Sequence, residues 1–330
     1  MTFILRIIRH VLLQMISRRL LRIKVLQVLY AYYTAEHKDL AISEKELHFS
    51  INKSYELYNY LLLLIRDIVL YAESRMEIAA NKRIPTSDDL NPNRRFVNNR
   101  LVKQLAGNVQ LNKYINNNHI SWVKYPELIK ELYGLIIESP EYDEFMALND
   151  GGYTDDKKFI SKIYSDIILP NESFSQVLEE QSIYWNDDLE FVISMVLKTI
   201  KKFSESDLHE KELLELYKNK EDSDFVIELF RKSIIKRKNC LELIESTASN
   251  WDLERIAFMD ILIMQLAITE LIEFPGIPTK VTLNEYLDIS KFYSTEKSNN
   301  FINGVLDKIM AHLKQKEMIR KTGRGLIGEI

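Results

Sequence analysis

The fold of this chain is decided by residues 251–313, which read WDLERIAFMDILIMQLAITELIEFPGIPTKVTLNEYLDISKFYSTEKSNNFINGVLDKIMAHL. Between residues 253 and 274 apolar side chains recur at three- and four-residue steps, and other apolar residues fill most of the gaps. A helix that is apolar almost all round belongs in the middle of a bundle. Pro275, Gly276 and Pro278 then end it. The segment therefore predicts a central helix.

Two further helices are predicted downstream. Thr282 followed by Glu285 has the spacing of a capping box, which predicts that a helix begins there. The polar residues 294–300 predict a loop, and residues 301–313 carry an apolar stripe at helical spacing. Gly304 lies inside this last helix, where glycine costs about 1 kcal/mol relative to alanine. Close approach of a neighbouring helix or of a ligand would explain a glycine at this position.

Residues 251–313 resemble the C-terminal half of the NusB family of transcription antitermination factors. The resemblance rests on motifs that follow the family's order and spacing, namely Arg255-Ile256, Asp260, Leu266–Leu271, Ile277–Glu285 and Phe301–Asp307. It implies an all-α fold, a NusB-like helical bundle with two three-helix groupings. It also implies a protein that recognises RNA, with no catalytic step and no cofactor.

The composition agrees with a helical protein. Of the 330 residues 46% are hydrophobic, and nine glycines and seven prolines are few for this length, which favours helices over sheets. The single cysteine, Cys240, excludes an intramolecular disulfide and fits a reducing cytoplasm. No run reaches the roughly 20 apolar residues of a membrane span, and no signal-peptide cleavage site is present. We expect a cytoplasmic protein with no membrane partner.

The formal net charge of −4 conceals basic ends. Residues 1–34 contain arginines and a lysine before any acid, and residues 314–330 carry a further basic excess, which predicts a flexible basic tail. Such asymmetry suits a polyanionic partner, although charged ends also keep a helical protein soluble. Residues 1–14 precede Met15, a plausible start, and are expected to be an upstream extension.

The basic residues near the N-terminus are grouped on one helix. Residues 17–33 have an apolar face at helical spacing. Separate from it, Arg18, Arg19 and Arg22 fall within about 100° of one another on a helix of 3.6 residues per turn. Clustered guanidinium groups can contact phosphates and stack on bases. A solvated helix end is the alternative that these residues leave open.

Residues 15–35 resemble the N-terminal RNA-binding helix of the NusB family, whose motif ends in Q-x-L-Y, as Gln27-Val28-Leu29-Tyr30 does here. In the family, the loop before the last helix lies near this helix. The resemblance therefore implies an RNA-binding set consisting of Arg18, Arg19, Arg22, Gln27, Tyr30, Lys297, Ser298 and Asn300. The RNA that the family recognises is the boxA sequence of leader transcripts.

Protein partners are implied as well. Members of the family pair with the ribosomal protein NusE, and the pair acts in an RNA polymerase antitermination complex in ribosomal RNA operons. Glu254, Arg255 and Glu270 are the resulting candidates for partner binding. A buried structural role is equally open for each of them.

The resemblance lapses in residues 36–221 and resumes in residues 222–313, so the intervening part is interpreted as an insertion. Its apolar residues recur at helical steps, which predicts a helical insertion. Ser43 and Glu46 have capping-box spacing and predict the start of a long helix.

No pattern for catalysis is present. The six histidines lie far apart without metal-ligand spacing, and neither a P-loop nor a dinucleotide-binding motif occurs. We therefore expect no enzyme, no metal and no cofactor. NusB-like domains also precede RNA methyltransferase domains, but no strand-rich domain with a glycine-rich loop follows before Ile330. The remaining alternative is a helical scaffold or adaptor in ribosome biogenesis whose RNA surface is idle.

Overall fold

The computed structural model describes residues 18–207, 209–217, 220–248 and 256–327. In this part of the chain every regular element is helical, which confirms the predicted all-α class. The α-helices in chain order are α1 (Arg18–Thr34), α2 (Leu40–Ala80), α3 (Ser87–Leu90), α4 (Arg100–Gly107), α5 (Val109–Asn118), α6 (Pro126–Ile137), α7 (Pro140–Met146), α8 (Tyr153–Lys162), α9 (Glu172–Gln181), α10 (Leu189–Lys202), α11 (Lys220–Ile235), α12 (Arg237–Thr247), α13 (Phe258–Glu273), α14 (Thr279–Tyr293) and α15 (Glu296–Gln315). Among the described residues, no helix is both long and apolar enough to cross a membrane.

The chain divides into two compact units. Residues 16–51 and 217–330 form one of them, called here the split unit, and residues 52–216 form the other, called the inserted unit. The predicted insertion, residues 36–221, includes more of the chain than the inserted unit, residues 52–216. The difference includes residues 36–51, which hold the beginning of α2 and group with the split unit.

The split unit is built around α13. This helix packs against α1, α11, α12, α14 and α15. Every residue from Leu262 to Leu271 is buried, because neighbours surround the helix on all sides. The central position is the one expected of a helix that is apolar almost all round.

In the inserted unit, the continuation of α2 passes through the core. Leu57, Tyr58 and Leu61 on this helix are fully buried. The hydroxyl groups of the buried tyrosines have partners: Tyr58 Oη lies 2.6 Å from Thr199 Oγ1, and Tyr164 Oη donates to the carbonyl oxygen of Leu61 at 2.7 Å. Buried phenols of this kind hold adjacent helices in one register, because an unpaired hydroxyl would be costly there.

The predicted start of α14 was wrong. The helix begins at Thr279, directly after Pro278, rather than at Thr282. Thr282 Oγ1 donates a hydrogen bond to Glu270 Oε1 at 2.8 Å, and the carboxylate of Glu285 accepts from Arg19. Both side chains of the expected capping box are therefore used in contacts with other helices.

The start of α2 also differs from the prediction. The helix begins at Leu40, and the backbone N–H of Ile42 donates to Asp39 Oδ1 at 3.0 Å. Asp39 thus satisfies a free donor of the first turn, which Ser43 was expected to do. Ser43 lies inside the helix.

The connection between α14 and α15 is much shorter than the predicted loop of residues 294–300. Only Ser294 and Thr295 separate the two helices. Thr295 Oγ1 caps α15 by accepting a hydrogen bond from the backbone N–H of Ser298 at 3.2 Å. Because Thr295 caps the helix, α15 begins at Glu296 and includes residues that were predicted to form a polar loop.

The predicted flexible tail is packed as far as the structure describes it. Lys321 Nζ donates to the carbonyl oxygens of Leu271 and Phe274 at 3.1 and 3.2 Å, at the C-terminal end of α13. The backbone N–H of Thr322 donates to the carbonyl oxygen of Pro275 at 3.0 Å. A lysine placed on the last carbonyls of a helix is favourable, which explains why this basic segment is held in place.

Gly304 does not lie at a helix contact, which was one of the two explanations considered for a glycine at this position. It is exposed on α15, and a Cβ atom added to it would meet nothing within 4 Å. Neighbouring helices therefore do not require a glycine at this position.

Candidate nucleic-acid interface

The arginine cluster predicted on α1 is paired with acidic side chains of the split unit. Arg22 is the most deeply placed, with 2% of its side chain exposed. Its Nε and Nη2 atoms donate to the two carboxylate oxygens of Glu270 on α13, both at 2.7 Å. Thr282 Oγ1 and Tyr286 Oη donate to the same carboxylate at 2.8 and 3.1 Å. Although burial opposes the charge, attraction to Glu270 raises the pKa of Arg22 above its ordinary value.

This geometry revises two predicted roles. Arg22 was expected to contact RNA, and Glu270 was a candidate for partner binding. Both are buried, and each satisfies the other by a bidentate ion pair, so neither presents a charged group at the surface. The pair holds α1 on α13.

Arg19 and Arg18 are half-buried and also paired. Arg19 Nη2 lies 2.9 Å from Glu285 Oε1 and 2.8 Å from Asp288 Oδ2, both on α14. Arg18 Nε lies 2.8 Å from Asp222 Oδ1 on α11, and its guanidinium carbon lies 5.1 Å from the centre of the Phe225 ring. These intramolecular pairs reduce the positive potential that the sequence suggests for the start of α1.

The second half of α1 forms a different surface. Gln27 Nε2 donates to Tyr293 Oη at 3.1 Å, which ties α1 to the end of α14. Tyr30 is 41% exposed, and its ring lies 5.6 Å from that of Phe258 at the start of α13. The structure thus places Gln27 beside the end of α14 and Tyr30 beside the start of α13. We call Gln27, Tyr30, Phe258 and Tyr293 the α1 surface.

The α14–α15 connection is held at this place by a buried acid. Asp260, on the first turn of α13, accepts a hydrogen bond from Ser294 Oγ. Asn299 Nδ2 donates to the carbonyl oxygen of Leu287 at 2.9 Å and to Ser290 Oγ at 2.6 Å. These bonds fix the first turn of α15 against the end of α14.

The three predicted residues of this region lie on the first turns of α15. Lys297 and Asn300 are exposed, and Ser298 is half-buried with its Oγ 3.0 Å from Thr295 Oγ1. A lysine and an amide at the exposed start of a helix can donate hydrogen bonds to phosphate oxygens or to base edges.

Two predicted partner residues, Glu254 and Arg255, lie outside the described residues. Phe258 and Tyr293 were not among the predicted residues, because an aromatic residue at the edge of an apolar stripe is expected to belong to the core. In the described ranges, no group of three or more histidine, cysteine, aspartate or glutamate side chains could hold a metal ion.

Comparison with known proteins relates part of the chain to a family. The model of the NusB family matches residues 190–311. The transcription antitermination protein NusB of Salinibacter ruber is 39% identical over 125 residues, which is 38% of this chain and 78% of that protein. The NusB protein of Chloroherpeton thalassium is 38% identical over 104 residues, 32% of this chain and 49% of that protein. The NusB protein of Natranaerobius thermophilus is 39% identical over 74 residues, 22% of this chain and 53% of that protein.

No solved structure matches the chain. The relative from Salinibacter ruber is nevertheless covered over most of its length, and the matched residues include α13, α14 and most of α15. The chain belongs to the NusB family.

Proposed function

We propose that this protein is a transcription antitermination factor that binds boxA-type leader RNA together with the ribosomal protein NusE. In this role it would recruit the RNA polymerase antitermination complex and promote read-through in ribosomal RNA operons. Its relatives are named as transcription antitermination proteins, which supports a role in transcription rather than in catalysis.

The observation that carries the proposal is the set of exposed aromatic and polar side chains on the α1 surface and on the first turns of α15. Tyr30 exposes an aromatic ring, and Lys297 and Asn300 expose a cation and an amide. Single-stranded RNA is recognised by the same combination, because unstacked bases lie on aromatic rings while cations neutralise phosphates. Arg18 and Arg19, at the other end of α1, keep part of their side chains exposed and contribute at the margin.

The proposal is tested by titrating the full-length protein against boxA RNA and a scrambled RNA of equal length, with and without NusE, at two salt concentrations. Tighter binding to boxA that NusE strengthens is the expected result. The Lys297→Ala variant should weaken binding to both RNAs and reduce the slope of log affinity against log salt by about one. Lys280→Ala is the matched control. It removes an exposed lysine at the start of α14, the end of that helix that is away from α15.

One observation favours the helical scaffold as a second candidate. The arginines at the start of α1 are paired with Asp222, Glu285 and Asp288, which lowers their availability for phosphates. A scaffold whose RNA surface is idle would bind both RNAs equally and weakly, and Lys297→Ala would leave the affinity unchanged.

A further inference from the structure

An aromatic and cationic cluster continues the α1 surface beyond Tyr30. The guanidinium carbon of Arg237, on the first turn of α12, lies 3.9 Å from the centre of the Tyr33 ring and 5.8 Å from that of Phe258. The rings of Tyr33 and Phe258 meet edge to face at 6.4 Å. Since Phe258 also contacts Tyr30, four planar groups from three helices follow one another. We call Tyr33, Arg237 and Phe258 the stacking cluster.

The stacking cluster is positioned by a buried amide. Gln265 on α13 is fully buried, and its Oε1 atom accepts a hydrogen bond from Arg237 Nη1 at 2.9 Å. Its Nε2 atom donates to Tyr33 Oη at 3.3 Å and to the carbonyl oxygen of Ser233 at 2.6 Å. One side chain thereby fixes both the plane of the guanidinium group and the orientation of the phenol. An arrangement with this many fixed partners has little rotational freedom left to lose on binding a ligand.

The cluster remains accessible from solvent. Tyr33, Arg237 and Phe258 are each half-buried, whereas a core aromatic would be covered. Two cations lie at its edge: Lys38 Nζ is 5.9 Å from the centre of the Tyr33 ring, and Lys236, next to Arg237, is exposed and pairs with Glu273 at 3.4 Å. An apolar peptide would gain little from these cations, but a strand with bases and phosphates matches both the planes and the charges.

We propose that the stacking cluster binds unstacked bases of single-stranded RNA, and so extends the interface from α1 across the starts of α13 and α12. This inference rests on the proposed RNA-binding function. The base lies against the half-buried guanidinium group of Arg237 or a ring of the cluster, and Lys38 neutralises a neighbouring phosphate. Stacking does not distinguish one base from another. The cluster therefore contributes to affinity and to the position of the RNA on the protein, and the sequence preference comes from other contacts.

The test uses full-length protein and a boxA-containing RNA in which single nucleotides are made abasic, one position at a time. For the wild-type protein, removing the base that stacks on the cluster should weaken binding about 5- to 150-fold. Phe258→Leu and Arg237→Gln should lose a comparable factor on intact RNA and become insensitive to the abasic change at that position. Phe258→Tyr keeps a ring and should restore the sensitivity.

Arg231→Gln is the matched control, because Arg231 is an exposed arginine on the neighbouring α11 whose carboxylate partner is Glu44. It should keep the wild-type response to every abasic position. Equal losses on intact and abasic RNA for Phe258→Leu and Arg237→Gln would overturn the inference in favour of a structural role, as would unchanged affinity. A wild-type protein that binds RNA without any sensitive position would also overturn it while leaving the proposed function standing. Absence of RNA binding by the wild-type protein would refute the proposed function itself.

Discussion

Arg22 Nε and Nη2 reach the two carboxylate oxygens of Glu270 at 2.7 Å, although 248 positions of the chain separate the two residues. Neither side chain is exposed by more than 2%. The pair joins α1 to α13, so the beginning of the split unit is attached to its central helix by a buried bidentate contact. The carboxylate of Glu270 is tolerated in this buried place because Arg22, Thr282 and Tyr286 all donate hydrogen bonds to it.

Removing either member of this pair should strongly destabilise the split unit. Arg22→Ala leaves the carboxylate of Glu270 buried without its cation. Glu270→Ala leaves the guanidinium group with only Glu285, whose Oε2 lies 3.6 Å from Arg22 Nη1. We expect each to lower the free energy of unfolding by about 3–5 kcal/mol, measured by chemical denaturation. Combining them should cost much less than the sum of the two, because the double variant buries no unpaired charge.

Arg19→Ala is the control for the preceding prediction. Arg19 pairs with Glu285 and Asp288 but is 25% exposed, so its loss should change the free energy of unfolding by about 1 kcal/mol or less. If Arg22→Ala proved as mild as Arg19→Ala, the buried pair would not hold α1 in place. A variant with Arg18, Arg19 and Arg22 all replaced by alanine is therefore unsuited to an RNA-binding assay, because lost binding could result from loss of RNA contacts or from unfolding.

Gly304→Ala should stabilise the protein. The residue lies inside α15, and an added Cβ meets nothing within 4 Å, so the substitution improves helix propensity without a clash. The expected gain is about 0.5–1 kcal/mol in the free energy of unfolding. A loss of stability would show that α15 is packed more closely than described. If stability rises while NusE or RNA binding falls, the glycine admits a partner to this face of the helix.

Gly325→Ala should release the C-terminal segment. A Cβ atom at Gly325 would overlap the carbonyl oxygen of Pro275, which is backbone and cannot turn aside. The contacts of Lys321 and Thr322 with the end of α13 should then be lost. Faster tryptic cleavage at Arg320 and Arg324, with an almost unchanged global unfolding midpoint, is the expected result. Cleavage at the wild-type rate would contradict the described packing of this segment.

Stability should fall in alkaline solution, partly because of Tyr286. Burial and the neighbouring charge of Glu270 raise the pKa of this phenol well above 10.0. Its contribution is therefore fully present below the pKa of the unfolded state, and it declines above that pH as the unfolded phenol ionises while the folded one stays protonated. Each such group steepens the decline by up to about 1.4 kcal/mol per pH unit.

Tyr286→Phe removes this group and should give a shallower decline of the unfolding free energy above pH 10.0. The variant also loses the hydrogen bond to Glu270, so its stability near neutral pH should be lower. Tyr30→Phe, at an exposed position, is the control and should follow the wild-type curve. Parallel curves for wild type and Tyr286→Phe would mean that the phenol ionises equally readily in both states.

The sequence by itself was sufficient for the fold class and for the central helix. Helical periodicity and chain-ending signals act over a few residues, so the apolar spacing in α13 and the stop at Pro275 and Gly276 are visible without a structure. The ordered motifs in the same region identified the family.

Only the tertiary structure decided which polar groups face solvent. Arg22 and Arg19 have the same side chain and nearly the same place on α1, yet one is buried and the other is not, because Glu270 and Asp288 lie on different helices. Thr282 and Glu285 likewise do not form the expected cap, because their side chains bind Glu270 and Arg19 on other helices. The energy of an ion pair depends on distance and burial, and the chain sets these only when helices far apart in sequence pack together. A local pattern of charges therefore predicts a helix but not what its charges bind.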